Sequence, residues 1–275
     1  IFDDNHISID GNVDKVSITD QKKKFESFGW QVLEVDGHNE IEIKNAIDSA
    51  KKDTNKPSLI IAKTTIGKFA PNKQNTSSIH GAPLGNEEME LFFGEIGWEG
   101  DPFDHSDDVY DYFAEKRLED DKSFEKWKSN LDNKLKNDGS FKKLWEQFEK
   151  NELSFPESFE IQEAATRVTG GNYLKLIGLE NKFVLGGSAD LAASTKQIIS
   201  EESYTNENRH GQNIEFGIRE HSMAAIINGI SLHSNLFAFG STFLVFSDYM
   251  RPSIRLASLM NLNSAYIFTH DSIYL

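Results

Sequence analysis

An α/β protein carrying parts of two doubly wound parallel sheets, joined by a helical segment, is the fold predicted for this chain of 275 residues. Three observations predict it. Apolar runs such as Ser58–Lys63 are short and continuous, without polar alternation, as in a parallel strand covered on both faces. Helix-period segments alternate with those runs. The alternation occurs twice, with a Lys/Glu-rich stretch between, which divides the chain into 1–150 and 151–275.

Residues 1–11, IFDDNHISIDG, read as the end of a buried strand running into a loop. A helix over Gln21–Phe28, a strand over Trp30–Val35 and a helix over Glu40–Lys51 follow, punctuated by Gly29 and Asp36-Gly37. Pro57 precedes the strand Ser58–Lys63. Thr64–Gly85, with three glycines and two prolines, has the irregular composition of a long functional loop. Glu87–Phe93 suits a short helix, and Gly94–Asp108 a surface segment. Residues 109–150 intersperse Tyr110, Phe113, Phe124, Trp127, Leu131, Phe141, Leu144, Trp145 and Phe148 among charges, as in helices with one packed face and one solvated face.

The second α/β unit begins near Phe155. A helix is expected over Ala164–Leu179, although Gly170 and Gly171 weaken it. A strand over Phe183–Leu185 leads into GGSADL (186–191), then a polar loop over Ala192–Gly211. Asn213–Ile218 reads as a strand that turns at Gly217 into a helix beginning near Glu220. Met223, Ala224, Ile226, Ile227 and Ile230 form that helix's apolar face. A strand at Leu236–Phe239, a helix to Leu259 and a strand at Ser264–Thr269 complete the unit.

Net charge is −15, which argues against general nucleic-acid binding. There is no cysteine, so disulfides and thiolate metal sites are excluded, and a reducing cytosol is compatible. No apolar run approaches the ~20 residues of a membrane span.

Four groups of residues carry candidate chemistry. Glu220, near a helix start, is favoured as an anion by the helix dipole, while apolar surroundings favour its protonated form. Such an acid can share a proton with a ring nitrogen, or serve as an ordinary solvated helix-start glutamate. Asp3, Asp4, Asn5 and Asp10 offer hard oxygens suited to magnesium, although by themselves they more readily suit an Asp/Asn-rich turn. His80 is the one histidine of the long loop, a residue type suited to proton transfer. Phe243, Phe246 and Tyr249, at i, i+3 and i+6, fit either a helix core or a ring-binding face.

Taken together, DDNHISIDG (3–11), KTTIG (63–67), HGAPLG (80–85), GGSADL (186–191), FGIREHSM (216–223), GSTFLVFSDY (240–249) and THDSI (269–273) resemble the transketolase family in order and near-family spacing. The resemblance covers nearly the whole chain and is weakest between about 100 and 165. It implies thiamine diphosphate held through magnesium, with calcium as an alternative, and with ligands from the Asn5 side chain and the Ile7 carbonyl. Ile9, Ile66, His80 and Asp190 would line the cofactor, and Phe243, Phe246 and Tyr249 would receive its aminopyrimidine ring. Glu220 would pair with a ring nitrogen and favour the imino tautomer, whose imino group removes the thiazolium proton. His80 and His270 would serve catalysis, and Arg167, Ser194 and His270 would contact a sugar phosphate.

The resemblance further implies a cytoplasmic homodimer with active sites at the subunit interface, transferring a two-carbon ketol unit between sugar phosphates. HGAPLG with GGSADL favours this family over deoxyxylulose phosphate synthase and, less sharply, over dihydroxyacetone synthase. A truncated, non-catalytic binding homologue is the reading from another class. Several positions depart from the family pattern. The upstream GDG segment with its aspartate ligand is absent, Phe69 stands where glycine is common, Ser77 where bacterial relatives commonly carry histidine, and Tyr274 where glycine is expected. Phe69 and Ser77 bear on loop conformation more than on reaction class, whereas the missing flanking segments predict a central fragment that is inactive by itself.

Overall fold

The computed structural model describes residues 1–160 and 163–271. Tyr274 therefore lies outside the described residues, as do the last two residues of THDSI. The chain divides into two compact units, Ile1–Tyr112 and Phe113–Leu275. No helix among the described residues is long and apolar enough to cross a membrane.

In the first unit, β1 (Phe2–Asp4), a small hairpin of β2 (Ile7–Ser8) and β3 (Gly11–Asn12), α1 (Gln21–Ser27), β4 (Gln31–Asp36), α2 (Glu40–Lys52), β5 (Ser58–Lys63) and α3 (Asn86–Ile96) follow in order. The strands β1, β5 and β4 form a parallel sheet in that order. Val35 and Ile60 are buried against Ala46 of α2, with Leu33, Ile43, Ile47 and Ala62 packed around them. Asn39 caps α2 by accepting from the backbone of Ile41 and Glu42, and Glu42 reaches back to the Asp36 amide at 2.9 Å. This reciprocal arrangement fixes where α2 leaves the sheet. The start of the chain differs from expectation. β1 is an edge strand, Phe2 is 38% exposed, and the predicted loop contains the β2–β3 hairpin.

The helix α4 (Asp107–Asn137) runs across the division between units and is followed by α5 (Gly139–Lys150). The expectation of one packed face holds for α5, whose Phe148 ring lies 5.1 Å from Phe183. It fails for α4: Trp127 is 52% exposed, and Tyr110 and Phe124 are exposed as well. An apolar stripe in a sequence states only that a face can be covered, not that a neighbour covers it.

The rest of the second unit consists of α6 (Thr166–Glu180), β6 (Val184–Ser188), α7 (Ala192–Thr195), α8 (Glu220–His233), β7 (Phe237–Thr242), α9 (Ser247–Leu259) and β8 (Ser264–Phe268). The parallel order is β6-β7-β8. Alternate residues point to opposite faces. Ala238, Tyr266 and Phe268 meet Met223, Ala224 and Ile227 of α8 and Met250 of α9. Phe239 and Ile267 meet Leu174 of α6, with Val184 and Ile199. Both faces are therefore covered, as continuous apolar strands require.

Close approach explains where glycine overrides propensity. A Cβ on Gly171 would lie 2.1 Å from the Lys196 carbonyl oxygen, so α6 needs glycine there to pack on the end of α7. β6 extends through the glycines of GGSADL because Gly186 and Gly187 lie against the backbones of Phe239 and Ile214. Two further expectations are corrected. Asn213–Ile218 is not a strand: only Asn213 forms β-bridges, to Gly186 and Ser203, and Gly217 (φ +64°) then turns the chain. The predicted polar loop contains α7 and buries Thr195, Gln197 and Ile199.

Candidate functional site

In parallel sheets, ligand sites gather outside the carboxyl ends of the strands. Each unit brings predicted residues to that edge.

In the second unit, β7 ends at Thr242 and the chain runs through a short 3-10 turn, Leu244–Phe246, into α9. Rings three residues apart fall on one side of this turn and helix start. Phe243 stacks on Phe246 at 5.9 Å and 13°, and Phe246 stacks on Tyr249 at 6.0 Å and 21°. The ladder is not core, since Tyr249 is 62% exposed. His270, beyond the end of β8, sets its ring 4.5 Å from Phe243, and its Nδ1 lies 3.0 Å from Thr269 Oγ1.

Glu220 begins α8. With Ala189, Asp190, Leu191, Ile218, Phe246 and Tyr249 it lines a cleft of about 390 Å³. Asp190 reaches that wall with φ +60°, a conformation costly for a non-glycine residue and one that tends to collect at functional sites. No side chain among the described residues pairs with the Glu220 carboxylate. The cleft thus joins an unpartnered carboxylate to a stack of aromatic faces, which suits a planar heterocycle with a basic ring nitrogen.

Arg167 and Ser194 do not line this cleft. Arg167 lies in the first turn of α6 and Ser194 in α7. The Gln197 side-chain amide ties these elements together, donating to the carbonyls of Arg167 and Thr195 at 3.0 Å each. Arg167 Nε is buried without a hydrogen-bond partner. Leaving that nitrogen unpaired is costly, while Arg167 as a whole is only partly buried and its planar guanidinium is of the kind that suits phosphate oxygens.

In the first unit, the segments after β1 and β5 carry Asn5, Ile7, Ile9 and Ile66. Asn5 Oδ1 accepts from the Ile7 amide at 2.9 Å, and His6 adopts φ +58°, so the turn reading of DDNH holds locally. Asp3 and Asp4 accept from Thr64 Oγ1 and Lys63 Nζ. Among the described residues no group of three or more His, Cys, Asp or Glu is arranged to hold a metal. The Asn5 side-chain oxygen and the Ile7 carbonyl are hard oxygens of the kind magnesium takes. Ile9 is exposed and Ile66 partly buried.

The long loop is more ordered than its composition suggests. Ile79 is buried beneath Gly67, where a Cβ would lie 2.1 Å from Ile79 Cδ1, and this places exposed His80 on the same loop system as KTTIG. Glu88, missed by the sequence reasoning, pins the loop by accepting from the Asn72 amide at 2.8 Å and its side chain at 3.1 Å. Burial pushes the Glu88 carboxyl up, but those hydrogen bonds together with Lys73 outweigh it and hold it below its ordinary value. His38, also missed, accepts from the Thr65 amide through Nε2 at 2.9 Å. Nothing in the spacing of either residue announces these contacts.

Phe69, in the position noted above, adopts φ +71°. A left-handed non-glycine residue costs about 1–2 kcal/mol, and glycine's greater unfolded entropy returns about half of that. Phe69→Gly is expected to raise stability by about 0.5–1 kcal/mol in denaturant unfolding, despite losing the Lys68–Phe69 contact. A destabilised variant would show that the ring contributes more than the backbone costs.

Comparison with known proteins agrees with this geometry. The family model "Transketolase, thiamine diphosphate binding domain" matches residues 1–153, and "Transketolase, pyrimidine binding domain" matches 162–275. A transketolase of Bacillus subtilis is 40% identical over 286 residues, covering 99% of this chain and 42% of that protein. One from Staphylococcus aureus is 39% identical, covering 99% and 43%. Among solved structures, transketolase from Leishmania mexicana matches with TM-score 0.91 and 30% identity over 98% of this chain and 42% of that one. The Campylobacter jejuni transketolase matches with TM-score 0.85 and 37% identity over the same shares. The chain thus spans less than half the length of these relatives. With both family models matched and about 40% identity along almost its whole length, the chain belongs to the transketolase family.

Proposed function

We propose that the protein carrying this chain is a transketolase, moving a two-carbon ketol unit from a ketose phosphate to an aldose phosphate. The observation that carries this reading is the cleft lined together by Glu220 and the stacked rings of Phe246 and Tyr249. Thiamine diphosphate, when bound, supplies an electron sink for the carbanion left as the donor's carbon–carbon bond breaks. The chain's own residues do the rest. Phe243, Phe246 and Tyr249 stack against the pyrimidine ring and exclude water. Glu220 holds a proton at its ring nitrogen. Asn5 and Ile7 contribute oxygens to magnesium or calcium at the diphosphate, while Ile9, Ile66, His80 and Asp190 border the cofactor. His80 and His270 hydrogen-bond and exchange protons with the sugar.

The division into 1–150, diphosphate side with helical linker, and 151–275, pyrimidine side, belongs to the same proposal. So do a homodimer whose sites draw on both copies and a cytoplasmic location. The full-length protein, supplied with thiamine diphosphate and magnesium, should convert ketose phosphate plus aldose phosphate to the exchanged pair; failure to do so overturns the reading.

Arg167 and Ser194 are assigned to the sugar phosphate, supported by the Gln197 tie between their elements and by the fit of a guanidinium to phosphate oxygens. Arg167→Ala in the full-length protein should raise the Michaelis constant for phosphorylated sugars about 10- to 150-fold, equivalent to roughly 1.5–3 kcal/mol. Unphosphorylated sugars should be little affected. Equal losses on both would make the arginine structural.

A further inference from the structure

We infer that His38 is a positioning residue that fixes the turn Thr64–Gly67, and through it Ile66, against the cofactor. The inference rests on the proposed thiamine diphosphate site and extends it to a residue outside that site. The turn leaves the carboxyl end of β5, and its backbone is held from several sides. Thr64 donates to the Asp4 carbonyl at 3.3 Å, and the Ile66 carbonyl accepts from Asn75 at 2.8 Å. Between these anchors, the Thr65 amide is held by one side chain, through His38 Nε2 at 2.9 Å. An accepting Nε2 requires the neutral imidazole with its proton on Nδ1.

The histidine is itself presented by a rigid turn. Its own amide donates to Asp36 Oδ1 at 2.9 Å, and Asn39 and Glu42 lock the start of α2 immediately behind it. Gly37 lets this turn press on the loop, since a Cβ there would lie 2.5 Å from Thr64 Cγ2. The β4–α2 turn and the β5 turn therefore form one unit, and His38 is its side-chain tie. Asp36 and Gly37 set its direction, while the length of the imidazole sets its reach.

That reach supplies the test. Glutamine places an acceptor oxygen three bonds beyond Cβ, as Nε2 is placed, whereas asparagine places one only two bonds beyond it. His38→Ala, His38→Asn and His38→Gln are made in the full-length protein. Hydrogen exchange at the Thr65 amide is measured without cofactor, with Ile60 and Ile61 in β5 as internal controls. Thiamine diphosphate affinity is then measured by fluorescence quenching with magnesium present.

Exchange at Thr65 should rise about tenfold or more in the Ala and Asn variants, with cofactor affinity falling about tenfold. The Gln variant should stay within about threefold of wild type on both measures, and the β5 controls should not move. Unchanged Thr65 exchange in the Ala variant, or a Gln variant as impaired as Ala, overturns the assignment. So does faster Thr65 exchange with unaltered cofactor affinity. A wild-type protein that binds no thiamine diphosphate would instead overturn the proposed function, and the exchange data would still decide whether His38 fixes the turn.

Discussion

Glu220→Gln in the full-length protein is expected to slow solvent exchange of the thiazolium proton of bound thiamine diphosphate by about 100- to 10,000-fold, the usual scale of a general acid–base group. Cofactor binding should survive, because the Phe243–Phe246–Tyr249 ladder and the diphosphate side are untouched. Glutamine retains the size and hydrogen bonding of glutamate but cannot hold a proton at a ring nitrogen as a carboxylate does. The expectation is physically specific because Glu220 has no competing partner among the described residues. Exchange at the wild-type rate would reduce Glu220 to an ordinary helix-start glutamate.

The second large effect is expected at Asn5. Its Oδ1 accepts a single hydrogen bond, from Ile7, and so keeps capacity for a cation. Asn5→Ala should weaken thiamine diphosphate retention at limiting magnesium by at least about tenfold, the lower end of what losing a metal-site group costs. Excess metal should partly restore it. Because Asn5 also shapes its own turn, Asn5→Asp is the informative companion, since it keeps the acceptor to Ile7 and adds charge toward the metal. Unchanged retention in Asn5→Ala on metal titration would remove Asn5 from the ligand set.

Much of the fold was legible because parallel strands buried on both faces leave a strong trace in sequence. Ser58–Lys63 is observed with the predicted bounds, and the helix beginning near Glu220 starts at that residue. What was not legible depended on contacts distant in sequence. β6 runs through two glycines because neighbouring backbones leave no room for a Cβ, a fact that propensity cannot contain. Asn213–Ile218 has the apolar composition of a strand, yet pairing stops after Asn213 and a left-handed glycine redirects it.

The site divides in the same way. Motif order was enough to single out Glu220, Asp190, Phe246 and Tyr249, which the fold brings to one cleft. The supports, His38 and Glu88, each act on a backbone amide far along the chain, and no local pattern marks them. The aromatic triplet shows the limit of periodicity. Spacing alone favours a core, and only the stacking and the exposed face of Tyr249 argue against it.

In the proposed homodimer, Asn5 of one copy and Glu220 of the other would serve the same active site. Mixing the full-length Asn5→Ala and Glu220→Gln proteins tests it most directly. After subunit exchange of equal amounts, half of the dimers are mixed, and each mixed dimer holds one site with both groups intact and one with neither. At limiting magnesium, ketol transfer should then recover to about a quarter of the wild-type rate, from the lower level of either variant alone. Activity that stays at the level of the separate variants, with exchange verified, would contradict the claim.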